Sequence, residues 1–417
     1  MAALANLRVD GARLWDRLMQ LARIGGTPAG GVNRQALSAE EIEAWRVVIG
    51  WAEAAGLQPS TDDAGNLFLT LPGTDPSALP VMSGSHLDSQ PTGGPFDGVY
   101  GVLAALEALT TLAERGLRPR APLVAVAWMN EEGSRFAPGM MGSEAFAGVR
   151  PLAEIREATD AEGMRVADAL DALHAAFPAL RRRRLGFAAQ AYVEAHIEQG
   201  PLLEAEGRVI GVVSGIQGKK TYQVVLQGDK GHAGTLAMAD RRDALAAFTR
   251  VAAELYRQVG GHDAAVKFTI GQLKLEPNAP SVVPERVLLR IDLRHPDNAT
   301  LDLLGRRLEA LCEAHAAPCT VQVQPLVDAP GNGFDAGLRA QIDAAAQRLG
   351  HPRMALLSAA GHDARHLAPL CPSAMVFIPC RGGVSHAEHE WAEPAHVAAG
   401  ADVLLQVLAA RAGVEAA

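Results

Sequence analysis

The sequence predicts an α/β protein: a catalytic domain with a central mixed sheet flanked by helices, and a ferredoxin-like βαββαβ domain inserted into it. Three observations predict this. Helical stretches alternate with short apolar runs through the first half of the chain. A β-α-β-β-α-β succession follows in the middle. Strand and helix patterns then resume, and residues of metal-ligand type lie on both sides of that middle segment. The chain has 417 residues, more than one ordinary domain holds, so two domains are expected. The spacing places a discontinuous catalytic domain at 1–211 and 330–417, with the insertion at 212–329.

The elements follow in order. Ser38–Ala55 reads as a helix opened by a capping-box pattern, Ser38-Ala-Glu-Glu41. Asn66–Leu71 and Pro80–Ser85 read as short strands, and Gly98–Arg115 as an amphipathic helix after a glycine-rich turn. Leu123–Trp128 is a continuous apolar run between Pro122 and Asn130, the pattern of a buried strand. A further strand-like run ends at His196. In the middle, Lys220–Gln227 alternates as a strand and Asp240–Val259 as a helix. Ala265–Leu275 and Arg286–Arg294 are strands, Thr300–His315 a helix and Pro318–Val327 a strand. Ala374–Ile378 and Pro394–Arg411 close the chain as strand and helix.

Composition removes several functions. Hydrophobic residues make up 48% and charged residues 20%, which suits a globular protein with a large core. A net charge of −9 argues against nucleic acid or an acidic membrane as partner. No apolar run approaches the roughly 20 residues of a membrane span. The N-terminal residues lack a basic stretch followed by an apolar one, so no secretory signal is evident. The four cysteines show no CxxC spacing and read as free thiols in a reducing cytoplasm.

The chemistry is carried by His86, Asp97, the pair Glu131-Glu132, His196 and His386. Their contexts are GSHLDSQPTGGPFDG at 84–98, NEEG at 130–133, EAHIEQGP at 194–201 and GVSH at 383–386. Imidazole and carboxylate without thiolate form the ligand set of a hydrolytic zinc, manganese or cobalt site. This set is large enough for two neighbouring metals, which together can activate one water and polarise a carbonyl. His86 ends a strand, where α/β sheets present ligands. Asp88 shares its face and can take the other ring proton. Asp97 follows a glycine-rich loop and could bridge both metals. Glu132 reads as a ligand and Glu131 as the base that deprotonates the water and then protonates the leaving nitrogen. Glu194 and Glu198 flank His196, and either could orient its ring.

Other residues point to the substrate. His232, between glycines in the inserted domain, suits a carbonyl or oxyanion contact. Arg290, Asp292 and Arg294 share one strand face, and Arg294 is a fork for a carboxylate. His362 lies in a glycine-flanked loop. The basic run Arg181–Arg184 reads as a solvated face. Histidines outside motifs, such as His174, His295 and His366, read as surface or packing residues.

With these motifs the chain resembles the hydantoinase/carbamoylase amidase family, within the wider dinuclear-metal aminoacylase and aminopeptidase group. The resemblance also includes LARIG at 21–25, DAGN at 63–66, FAPGMMGS at 136–143, HAGT at 232–235 and GHD at 361–363, so it spans nearly the whole chain. It implies that His86 and His196 hold one metal, Glu132 and His386 the other, and that Asp97 bridges them, with Glu131 as general base. Two divalent ions are implied, zinc first, with manganese, cobalt or nickel also suited. Gln199, His232, Arg294 and the Gly361 loop match substrate-contacting positions. The family is usually homodimeric through the lid domain, and the lid histidine can reach the partner subunit's site. Its members cleave N-carbamoyl amino acids, N-carbamoyl-β-alanine or allantoate, small substrates that join a ureido or amide group to a carboxylate. The expected reaction is cleavage of the carbamoyl C–N bond by a metal-bridged hydroxide.

Three segments depart from the family pattern, all toward the substrate. Thr235-Leu-Ala-Met238 stands where Thr-Thr-Pro-Met is common. The position 13 residues before Arg294, usually asparagine, is Ser281. Ala387-Glu-His-Glu390 stands where Asn-Pro-Ala-Glu is usual. Rival readings are a dipeptidase or aminoacylase on the same scaffold, and a non-catalytic metal-stabilised binding protein. The first is disfavoured by the 136–143 and 196–201 motifs, the second by an intact Glu131.

Overall fold

A computed structural model describes residues 6–414. These form two compact units: the chain up to Gly215 joined with the stretch from Gly333 onward, and Ile216–Asn332. Among the described residues, no helix is long and apolar enough to cross a membrane.

The first unit opens with helices α1 (Gly11–Leu21) and α2 (Ala39–Ala54). The start of α2 follows from its sequence. Ser38 Oγ accepts the Glu41 N–H at 3.2 Å, and the Glu41 carboxylate accepts the Leu37 N–H, the reciprocal pair that satisfies donors at a helix start. Strands β1 (Gln58–Thr61), β2 (Leu67–Leu71) and β3 (Val81–His86) follow, then α3 (Val99–Glu114), β4 (Leu123–Trp128), β5 (Arg181–Arg182), β6 (Ala191–Ile197) and β7 (Ile210–Ile216). Amphipathicity was the expectation for α3, yet every residue from Val99 to Leu112 is buried. The helix contacts β3, β4 and β6 on one side and α1 on another, so it has no wet face to keep polar.

In the second unit, β8 (Gly218–Gln227) leads through the two-residue β9 (Gly231–His232) to α4 (Ala244–Leu255). Then come β10 (Lys267–Glu276), β11 (Val282–Val283), β12 (Arg286–His295), α5 (Asn298–His315) and β13 (Thr320–Ala329). The four long strands form an antiparallel sheet in the order β10-β12-β8-β13, and β9 pairs with β11 in a separate ribbon. Burial alternates along β8 and β12. Val224, Leu226, Val287, Leu289 and Ile291 pack with Val251 of α4 and Leu304 and Leu308 of α5. The first helix starts four residues later than its apolar period suggested. Asp243 caps it by accepting the Leu245 and Ala246 N–H groups, and Met238–Asp240 is a separate tight turn.

The chain then completes the first unit with β14 (Asn332–Gly333), α6 (Ala336–Arg348), β15 (Arg353–Ser358), β16 (Ser373–Ile378) and α7 (Pro394–Arg411), which has proline in its first turn. The large sheet runs β14-β7-β16-β6-β3-β4-β2-β1-β5, with β15 on β7. Its four central strands, β16, β6, β3 and β4, are mutually parallel; β7 and β2 join them antiparallel. The sheet is therefore mixed, and β3, β4, β6 and β16 are wholly buried. Parallel strands end at one edge, and the loops beyond that edge carry the polar residues singled out above.

Candidate metal centre

Four strand ends deliver the donors. His86 is the last residue of β3, His196 lies one before the end of β6, Glu131 and Glu132 follow β4, and His386 lies in the loop after β16. Asp97 stands two residues before α3 and joins them. Its Oδ1 is 3.1 Å from His196 Nε2 and 3.7 Å from His86 Nε2, and its Oδ2 is 3.2 Å from His386 Nε2. His386 Nε2 is also 3.3 Å from Glu132 Oε2. Beside a three-donor group Glu194/His196/His362, two further groups result, His86/Asp97/His196 and Asp97/Glu132/His386. Within each, the donor atoms lie within 4.8 Å of one another, and the two groups share Asp97. Glu131 belongs to neither, although its Oε2 is 3.6 Å from His86 Nε2.

The surroundings aim these donors. His86 Nδ1 lies 2.9 Å from the Asp88 carbonyl, and His196 Nδ1 lies 2.8 Å from the Ile197 carbonyl. A carbonyl only accepts, so each Nδ1 carries the proton and each Nε2 turns its lone pair inward. The Asp88 carboxylate is 3.5 Å from His86 Nδ1, and its two oxygens accept the Glu131 and Glu132 N–H groups at 3.2 and 3.1 Å. Asp88 thus ties the β3 end to the β4 loop. Gln90 Nε2 donates to Glu132 Oε2 at 2.8 Å. Gln199 Nε2 and Ser385 Oγ donate to Asp97 Oδ2 at 2.8 and 2.7 Å. Gln199 and His386 both adopt positive φ, 56° and 54°, backbone strain of the kind that gathers at functional sites.

Gly98 makes the close approach possible. Its φ is 67°, and a Cβ there would overlap the His86 imidazole.

The charges resist being together without a cation. Burial pushes Glu131 well above the usual carboxylate range; His86 opposes this and Asp363 and Glu132 reinforce it. Burial and then Asp97 push Glu132 up to about 7. Burial works against Asp97 as an anion, but its hydrogen bonds to His196 and His386 hold it well below its ordinary value. Hydrogen bonding to Asp97 lifts His386 to about 9. Burial alone would lower His86, yet Glu131 and Asp88 hold it well above the ordinary imidazole value. Imidazoles drawn toward imidazolium by buried acids mark a cluster that takes up positive charge, and the donor set suits zinc, manganese, cobalt or nickel.

The remaining candidates divide. His362 is buried, its ring 4.5 Å from that of His196 and its Nε2 3.0 Å from Ser358 Oγ. Burial and then His196 hold it well below the ordinary imidazole value. Gly361 precedes it in the same loop. In the second unit, His232 pairs across the ribbon with Val282, and its Nδ1 accepts the Gly234 N–H at 3.0 Å; the Ser281 carbonyl accepts the Ala233 N–H. Arg294 forms a two-point ion pair with Asp292, at 2.7 and 3.3 Å, and Lys219 joins that carboxylate at 3.2 Å.

Two expectations need correction. Glu198 does not orient His196: its carboxylate accepts the Leu202 and Leu203 N–H groups. In the basic run, Arg181, Arg182 and Arg184 are exposed as expected, and Arg183 departs from it, half-buried with its guanidinium 3.9 Å from the Phe187 ring centroid. Sequence reasoning also passed over Gln90, Ser385 and Glu390. Ser385 and Gln90 sat inside quoted motifs, but Glu390 sat in a segment read only as a departure.

This fold and this site define a metal-dependent hydrolase. The chain belongs to peptidase family M20/M25/M40, whose profile matches residues 82–410. It is 41% identical over 416 residues to an N-carbamoyl-L-amino-acid amidohydrolase of Rhizobium meliloti, with 97% of each chain covered. It is 33% identical over 398 residues to an allantoate amidohydrolase of Bacillus subtilis, covering 94% of this chain and 96% of that one. Among solved structures, a hydantoinase/carbamoylase family amidase from Burkholderia vietnamiensis matches with a TM-score of 0.88 at 42% identity over 98% of each chain.

Proposed function

We propose that this chain is an amidohydrolase that cleaves the carbamoyl C–N bond of N-carbamoyl amino acids. The observation that carries the reading is the pair of three-donor groups sharing Asp97, with Glu131 beside them and outside both. His86 and His196 would hold one divalent cation, Glu132 and His386 a second, and Asp97 both, with zinc the first expectation. When bound, such a pair lowers the pKa of water and polarises the scissile carbonyl.

The protein's own groups do the rest. Glu131 takes the proton of the attacking water on its carboxylate and passes it to the leaving nitrogen. Burial favours this shuttle, because it raises the affinity of Glu131 for a proton. Gln199, Gly361 and His362 line the substrate side of the first unit. From the second unit, read as a ferredoxin-like lid, His232 steadies the oxyanion, Arg294 takes the carboxylate, and the Ser281 position adjusts recognition. The C–N bond breaks to free the amino acid, and the carbamate divides into carbon dioxide and ammonia. We further assign a homodimer through the second unit, whose edge strands β10 and β13 are open to pairing, and a cytoplasmic location suited to its free thiols.

The test is a substrate panel assayed with chelator-stripped and metal-reloaded protein: N-carbamoyl-L-amino acids, N-carbamoyl-β-alanine, allantoate, N-acyl amino acids and dipeptides. Metal-dependent ammonia release, fastest from N-carbamoyl amino acids, is the expected result. Preference for allantoate or N-carbamoyl-β-alanine would shift the substrate within the class. Hydrolysis of dipeptides alone would make the chain a peptidase, and binding without turnover would make it a capture protein.

A further inference from the structure

We propose that Glu390 is a positioning residue that sets the Asp97 carboxylate between the two donor groups. The proposal rests on the two-cation reading above. Asp97 has to serve both groups at once, so a displacement of about an ångström would spoil one of them. Yet it sits on a glycine-rich loop between β3 and α3, outside any strand.

Glu390 supplies the missing hold. It is 2% exposed, and its Oε1 accepts both the Phe96 N–H at 2.9 Å and the Asp97 N–H at 3.1 Å. Gly94 lies flat against the same side chain, where a Cβ would overlap both the Cβ and the carboxyl group of Glu390. The segment containing Glu390 also carries Ser385 and His386, which engage the Asp97 carboxylate. One segment therefore grips Asp97 at its main chain and at its side chain. That segment is itself anchored, because the Thr27 hydroxyl donates to Glu388 and Gly31 packs on it.

Burying a carboxylate among other acids costs free energy. A residue needed only to fill space would be apolar. The position of Glu390 instead matches a requirement to accept two N–H groups at the base of one acid.

The experiment uses chelator-stripped protein titrated with cobalt(II), read by calorimetry and by the visible absorption of the bound ion, alongside thermal unfolding of the metal-free forms. Wild type should bind two equivalents. Glu390→Ala should bind cobalt 10- to 100-fold more weakly in at least one equivalent, with metal-free unfolding close to wild type. Glu390→Gln keeps the accepting oxygen and should restore affinity to within about threefold. Gly94→Ala pushes on the same contact while leaving Glu390 in the sequence, should weaken binding in the same way, and decides the matter if Glu390→Ala does not fold. Wild-type affinity and spectrum in both Glu390→Ala and Gly94→Ala would overturn the proposal alone. So would an equal loss of stability in their metal-free and metal-loaded forms, which would mark a merely structural residue. Fewer than two equivalents in wild type would overturn the two-cation reading and the proposal with it.

Discussion

Glu131 and Glu132 are adjacent and chemically identical, and the fold gives them different surroundings. Glu132 faces His386 and is held by Gln90; Glu131 faces His86 from outside both donor groups. Replacing Glu131 by Gln should therefore leave metal content unchanged while turnover falls by 10²- to 10⁴-fold; kcat measured with metal analysis checks this, and near-normal turnover would remove Glu131 from its role. Arg294→Ala should raise KM for acidic substrates by at least tenfold and change neutral amides little; an equal effect on both would make the Asp292 pair its whole function. The convergence of His86, Asp97, Glu132, His196 and His386 was legible because each lies in a local motif whose spacing suits a strand end or the loop beyond it. Gln90, Ser385 and Glu390 were not. Their partners lie 42, 288 and 293 residues away, and nothing in one sequence records such pairings. The misreading of Glu198 has a local cause. Alternation along β6 stops at Ile197, so the next side chain follows the turn and caps it.

At the scale of elements, strand ends and helix starts do the positioning. Gly98 joins the two, as the residue before α3 with positive φ and the His86 ring beside it. Gly98→Ala adds backbone strain and a clash with His86, so cation affinity should fall by at least tenfold; calorimetric titration of the stripped protein checks this, and unchanged affinity would show that the ring can move aside. Ser38→Ala removes one cap and should cost about 1 kcal/mol in urea unfolding without changing turnover. Most of the longer strands and helices were legible to within a few residues, because their periods survive in the folded state, but α1, α6, β1, β7, β15 and the helix Val166–Ala176 were not read. The burial of α3 was not, since a helix covered on several sides cannot be told from a half-wet one by its own residues. The late start of α4 was decided by the Asp243 cap rather than by apolar period.

For the whole first unit, a further observable is the pH dependence of stability. His366 lies beside Arg365 and Arg150, and burial and then these cations hold it down to about 4, below the ordinary 6.5 of a free imidazole. Between these values the unfolded chain takes up a proton that the folded chain refuses. The stabilisation is present above pH 6.5 and is lost as pH falls toward 4, by about 3 kcal/mol over the full interval. Urea unfolding of metal-free protein at pH 7 and pH 5 should show this slope, and His366→Gln should flatten it; an unchanged slope in the variant would place its origin elsewhere. The presence of an interrupting segment was legible because groups of ligand type stood on both sides of a βαββαβ pattern.

The order of these groups along the chain has a consequence for synthesis. A ribosome delivers His86, Asp97, Glu132 and His196 early, then must make all of Ile216–Asn332 before His386 emerges. A nascent or prematurely ended polypeptide has the residues of one three-donor set but lacks His386, the central strand β16 beside His196 and the Glu390 that holds the Asp97 main chain. Assembly of the site around the shared acid is thereby coupled to completed translation.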